Sequence, residues 1–299
     1  MTATTPAAPT ATGPTLNVTP LGDIRLRFSG IVRSEWIKLR SLRSTVWCYG
    51  LIVLLTIGFG ALLALTFSHS GPSLTADQNN AIMVQVATLG VNFTQLIVAV
   101  LGALVITGEY STGMIRSTFA AAPGRIGAYI GKAVVLAVST FVIGLVSIVA
   151  TALVALPLLA GKSIHPALFD WSVMLPLIGG AGYLTLIALL AFTFGTMVRS
   201  SAGAIASILG LLLVVPTVLR IISNLTQAAW IQNVAAFLPS EAGGKIFAYQ
   251  DSVAGAPTQT VTHTAGLVDL TSWEGLAVLV GWVLVFGVLA AVLVKRRDA

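Results

Sequence analysis

Long uncharged stretches recur along the chain, at residues 46–67, 81–107, 133–159, 173–198, 202–222 and 275–294, with only Arg220 interrupting, near the end of the fifth. Each holds at least 20 residues. About 20 apolar residues in helical conformation cross the hydrocarbon of a bilayer. Arg220 can extend its side chain to the interface. None of the stretches alternates apolar and polar positions, as strands of a membrane barrel must. The pattern predicts an all-α integral membrane protein with six transmembrane helices, the longer ones tilted or projecting past the bilayer. Before the first span, Val32, Trp36, Leu39, Leu42 and Val46 recur at helical spacing, and Arg33, Lys38, Arg40 and Arg43 lie mostly off that stripe. This predicts an N-terminal amphipathic helix lying in the membrane interface. The plainer alternative is a basic anchor that only orients the first span.

Composition agrees with a lipid-embedded chain. Of 299 residues, 56% are hydrophobic and 9% charged, whereas a soluble domain carries about 25% charged residues. A single cysteine, Cys48, excludes a disulfide framework or a cysteine-based zinc site. The three histidines, His69, His165 and His263, stand far apart with no metal-binding spacing. The first 20 residues are uncharged and rich in Thr, Ala and Pro, which predicts a disordered cytoplasmic tail over 1–29 ahead of a transmembrane domain over 30–299. No basic start followed by a short apolar run marks a signal peptide.

The formal charge of +6 is placed unevenly. Six spans put both termini on one side. Of the 16 basic residues, 13 fall on that side and Lys162, Arg220 and Lys245 on the other. Basic loops stay in the cytoplasm, so both termini are expected there, in a multi-pass plasma-membrane protein. The charge is accounted for by the membrane surface, with no nucleic acid required.

Residues 108–132 form a 25-residue cytoplasmic connection, long for a link between membrane helices. Tyr110, Met114, Ile115 and Phe119 make an apolar side, Glu109, Thr112 and Arg116 a polar one, and Pro123-Gly124 ends any helix there. A short amphipathic helix would offer a handle to a soluble partner; an ordinary polar loop is the alternative. The segment E-W-x-K-L-R-S-x-R-S-T-x-W at 35–47, together with E-Y-S-T-G-x-I-R-x-T at 109–118 and the following A-A-P-x-R, resembles permeases of the ABC-2 type. The six-span plan and the long loop before the last span agree with that resemblance. It implies that Glu35, Trp36, Lys38, Arg40 and Arg43 belong to an interfacial connecting helix. It also implies that Glu109, Gly113, Arg116, Pro123 and Arg125 fall in a coupling region that docks on a separate ATP-binding subunit. ATP and Mg would then sit on that partner, with no cofactor in this chain. The phosphate-binding motif G-x-x-x-x-G-K-[ST] is in fact absent. Its nearest string, G-A-Y-I-G-K at 127–132, is one residue short and is followed by Ala133. A membrane enzyme with a serine nucleophile lacks a histidine near any G-x-S-x-G.

Within the second span, Gln85, Thr88, Asn92 and Gln95 follow helical steps that continue to Ala99 and Gly102. Polar side chains in lipid normally face a bundle interior or a wet path. The stripe is therefore a candidate substrate path, with interhelical hydrogen bonding as the alternative. Ala202, Ala206 and Gly210 in the fifth span, and Gly60 and Ala64 in the first, are small residues at close-packing spacing, within one subunit or at a dimer seam. The external stretch 223–274 contains an apolar segment at 227–238 that dips into the outer leaflet or caps the exit. The resemblance implies an exporter permease paired with a second copy or a paralogue and in contact with membrane lipid, and a mostly apolar path with sparse amides suits an amphipathic or lipid-like, drug-like substrate. An ion-coupled secondary transporter and a non-transporting scaffold are the competing classes.

Overall fold

A computed structural model describes residues 27–67, 74–115, 125–249 and 267–296. All but the last three residues of the expected tail lie outside that set. Every regular element among the described residues is helical. In chain order they are α1 (Phe28–Ser41), α2 (Arg43–Thr66), α3 (Ala76–Thr88), α4 (Val91–Ser111), α5 (Arg125–Ala160) and α6 (Trp171–Val198). Then follow α7 (Ser201–Leu209), a π-helical turn (Gly210–Val214), α8 (Val215–Thr226), α9 (Ala229–Ala236), α10 (Pro239–Gly244) and α11 (Ser272–Arg296). Among the described residues, six helical stretches are long and apolar enough to cross a membrane: α2, α3–α4, α5, α6, α7–α8 and α11.

The centre of the bundle is α6, flanked by α4 and α5, with α2 laid on α5 and α11 on α6. Val98, Ala99, Leu184, Ile187 and Ala188 are wholly buried there. Lipid offers no hydrophobic drive between helices, so close backbone approach does the work. At Gly102 a Cβ would stand 2.3 Å from the Ala188 carbonyl oxygen, so α4 and α6 meet backbone to backbone. The hydroxyls of Thr56, Thr88, Thr107, Ser139, Ser147 and Thr151 each donate to the carbonyl four residues back, which satisfies them without water.

Three expectations are corrected. The stripe from Val32 to Val46 is not one helix, because Leu42 is extended (ψ 120°) and separates α1 from α2. Of its residues Leu39 is buried with Glu35 against the bundle, while Trp36, Leu42 and Val46 are exposed and open to lipid. The second span is not one continuous helix, because α3 and α4 are joined by a turn at Leu89–Gly90. Gly90 lies against the backbone of α2, where a Cβ would be 2.5 Å from the Thr56 Cα. The connection at 108–132 is shorter than the uncharged runs suggest. Helix α4 continues to Ser111 and α5 already begins at Arg125. Counting uncharged residues cuts both helices at Glu109 and Lys132, but these charges are buried inside helices because they neutralise each other.

At the opposite end of the bundle the apolar segment after α8 forms α9, followed by α10 and a single 3₁₀ turn. The Trp282 indole donates to the Phe237 carbonyl at 3.0 Å, which fixes this segment alongside α11 well below its first residue. Ion pairs from Arg220 to Glu241 and from Lys245 to Asp269 tie the same end together.

Candidate functional site

Helix α1, the C-terminal turn of α4 and the N-terminal turns of α5 converge on four charged side chains. On α1, Glu35 and Lys38 are three residues apart and pair at 2.8 Å. Lys38 also reaches Glu109 of α4 at 3.1 Å. From α5, the Lys132 ammonium donates to Glu109 Oε1 at 2.8 Å and to Glu35 Oε2. Glu35, Glu109 and Lys132 are buried, and Lys38 keeps 30% of its side-chain surface. Two carboxylates and two ammonium groups cancel. That cancellation is what lets a charge cluster form in a low-dielectric setting. Burial alone would lower the Lys38 ammonium, but its hydrogen bond to Glu35 and the charges of Glu109 and Glu35 outweigh it and hold it above its ordinary value.

The second oxygen of Glu109, Oε2, is buried without a hydrogen-bond partner. Beside the cluster lies a cavity of about 490 Å³ lined by Lys38, Leu42, Leu104, Gly108, Glu109 and Met114. A further clamp joins the same end, where the Arg199 guanidinium at the C-cap of α6 lies 5.2 Å from the Tyr110 ring centre. Ser201 reaches Thr107 at 3.0 Å. Five helices, α1 and α4 to α7, are thus fastened around the connection that follows α4.

Of the residues assigned to that region from the sequence, Glu109 is in the charge cluster. Gly113 has φ +70° and stops α4 in a backbone conformation that suits glycine. Arg125 opens α5, and Arg116 and Pro123 lie outside the described residues. Of the connecting-helix residues, Glu35 and Lys38 join the cluster. Trp36 and Arg40 face away from it, and Arg43 opens α2. Lys132 was not singled out by the sequence reading. Its signal was available: a lone lysine opening an apolar run, opposite a lone glutamate closing the previous one.

The four polar residues of the second span do not end on one face. Thr88 is buried and bonds the Val84 carbonyl; Gln95 is buried and accepts from the Tyr183 hydroxyl on α6. Gln85 and Asn92 are exposed. Further along, Ala99 and Gly102 are packed into the core, Gly102 against α6. On each side of the Leu89–Gly90 turn one member of the stripe is packed inside and one is exposed: Thr88 and Gln85 on α3, Gln95 and Asn92 on α4.

A bundle of six apolar helices entered by a short helix that is pinned to two of them defines a multi-pass, all-helical membrane protein. Residues 31–218 match the family model described as ABC-2 family transporter protein, and the chain belongs to that family. The match opens within α1, closes within α8 and contains all four members of the charge cluster. No curated protein matches the chain in sequence.

Proposed function

We propose that the chain is the permease subunit of an ABC exporter, without a nucleotide site of its own, driven by a separate ATP-binding subunit that docks on residues 112–124. The observation that carries this reading is the charge cluster, because it joins α1 to the two helices that flank that segment. A force applied to the segment would reach α4, α5 and α1 as one body. ATP and Mg would be held by the partner, and both termini would face it from the cytoplasm, as the distribution of basic residues supports. The apolar character of the open surfaces supports an amphipathic or lipid-like substrate.

The test is reconstitution of the chain in vesicles with the ATP-binding subunit encoded beside it. ATP-driven movement of a fluorescent amphipath is expected, with no hydrolysis by the chain alone. Arg116→Ala, outside the cluster, is expected to leave insertion intact and reduce substrate-stimulated hydrolysis about tenfold or more. Hydrolysis by the lone chain would refute the division of labour.

One observation favours the ion-coupled alternative: the buried, unpartnered Glu109 Oε2 beside a cavity is a candidate proton acceptor. Transport driven by a pH gradient without ATP would decide for it.

A further inference from the structure

Helix α1 has a second flank, turned away from the charge cluster. There α1, α2 and α5 enclose a slot of about 250 Å³ lined by Trp36, Leu39, Arg40, Val46, Tyr49 and Val142. The Tyr49 hydroxyl is engaged by Ser139 at 2.7 Å and Thr140 at 3.1 Å, so the interior of the slot offers no free polar group from that side chain. Arg40 is the one charged residue of its lining. Val138 and Val142, on α5, leave the slot open to the bilayer, each being about half exposed.

Among the described residues, the exposed arginines of this end carry one sign of charge. Arg27, Arg33, Arg40 and Arg43 are all exposed, and none of them forms an ion pair among the described residues. The carboxylates at this end, Glu35 and Glu109, are buried and committed to lysines. The other described carboxylates, Asp77, Asp170, Glu241, Asp269 and Glu274, belong to the opposite end of the bundle, at the far ends of the spans. The slot is therefore an apolar furrow reaching into the membrane, with a guanidinium at its lip that pairs with no described carboxylate, and further arginines on α1 and at the start of α2.

We infer that this slot binds one anionic phospholipid, its acyl chain lying against Trp36, Val46 and Val142 and its phosphate held by Arg40. A lipid chain matches the apolar wall, and a guanidinium matches a phosphate with two parallel hydrogen bonds. The zwitterionic lipids that share the bilayer lack the net charge the mouth selects for, and each basic residue near the surface adds a modest increment of attraction. Leu39 lines both this slot and the cavity beside the charge cluster. A lipid seated here would thus brace α1 from one side while the ion pairs hold it from the other. This inference needs only the helix arrangement and is independent of how transport is energised.

The test uses the full chain, purified in mild detergent, supplied with equal amounts of phosphatidylcholine and phosphatidylglycerol, and examined by native mass spectrometry. Preferential retention of one phosphatidylglycerol is expected. Arg40→Gln is expected to lower that preference about fivefold, while Arg33→Gln, outside the slot lining, leaves most of it. Val142→Trp keeps every charge but fills the slot, and it is expected to lose the retained lipid. Val138→Trp does the same from the neighbouring turn if the first variant folds poorly. Millimolar inorganic phosphate is expected to displace nothing. An equal loss in Arg33→Gln and Arg40→Gln would mean a diffuse cationic surface and overturn the site, as would retention of the lipid by the slot-filling variants. Displacement by inorganic phosphate would reduce the site to an ion site and also overturn the inference.

Discussion

Lys132 touches two carboxylates at once, Glu35 on α1 and Glu109 on α4, and it is the only member of the cluster on α5. Its removal leaves two buried negative charges facing Lys38 alone. Breaking a buried pair from one side costs about 3–5 kcal/mol, since the orphaned charge stays out of water. Lys132→Met is expected to cost that much in thermal or denaturant unfolding in micelles. Adding Glu109→Gln removes the excess charge, so the double variant is expected to regain part of the loss. A coupling of about 1–3 kcal/mol would be typical of residues in one network. Strict additivity of the two single losses would show that the cluster does not act as a unit. The same reasoning changes what a Glu109 variant reports. An exposed pair at that position would be worth about 0–1 kcal/mol, but Glu109 is buried, so Glu109→Ala mixes folding with coupling and Arg116 is the cleaner probe.

Among the elements, the close contact of α4 with α6 sets the geometry of the whole bundle. Gly102→Ala places a methyl group 2.3 Å from the Ala188 carbonyl oxygen, so the helices must separate. The expected cost is about 1–3 kcal/mol, measured by thermal unfolding in detergent. Gly182→Ala, on α6 itself, is the matched control: nothing stands within 4 Å of the added atom, so little change is expected. Equal losses in the two variants would mean that the contact is not what holds α4 in place. Six spans and a helix ahead of them were legible in the sequence because hydrocarbon demands long uncharged helices. The helix ends at Glu109 and Lys132 were not, because a run of uncharged residues stops at any charge, paired or not. The break at Leu89–Gly90 was hidden for another reason. It depends on Gly90 meeting the backbone of Thr56, a contact between separate spans that local periodicity does not report. The candidate site was half legible. Glu35, Lys38 and Glu109 stood in recognisable segments, while Lys132, though it opens an apolar run, gains its meaning from the two carboxylates it joins, a contact between separate helices.

For the whole molecule, the unpartnered surfaces bear on how many copies work together. Gln85 and Asn92 are exposed, and the Asn92 amide reaches only the Leu89 carbonyl of its own chain, at 3.4 Å. Amides facing lipid are costly, so a polar neighbour is wanted there. On the neighbouring fifth span, Ala202 and Ala206 are exposed and Gly210 meets nothing. Gly60 and Ala64, by contrast, are used within the subunit, Gly60 against Thr151 of α5. The small-residue face left over is thus the one on the fifth span, which packs beside α4. In a two-fold dimer a residue near the axis meets its own copy, and a disulfide forms there only if the two Cα atoms come within about 7 Å. With Cys48 replaced by Ser, single cysteines at Asn92 and Ala206 are expected to cross-link between copies in membranes under mild oxidation. Thr88 and Gln95 are not useful probes, because both are buried within one chain. Leu284→Cys on the exposed side of α11 serves as the comparison, since that residue is equally open but carries neither amides nor small neighbours of this kind. Cross-linking at Asn92 or Ala206 with none at Leu284 would place the shared seam along α4 and the fifth span. Cross-linking at Leu284 alone would put the seam on α11 and leave the exposed amides to lipid.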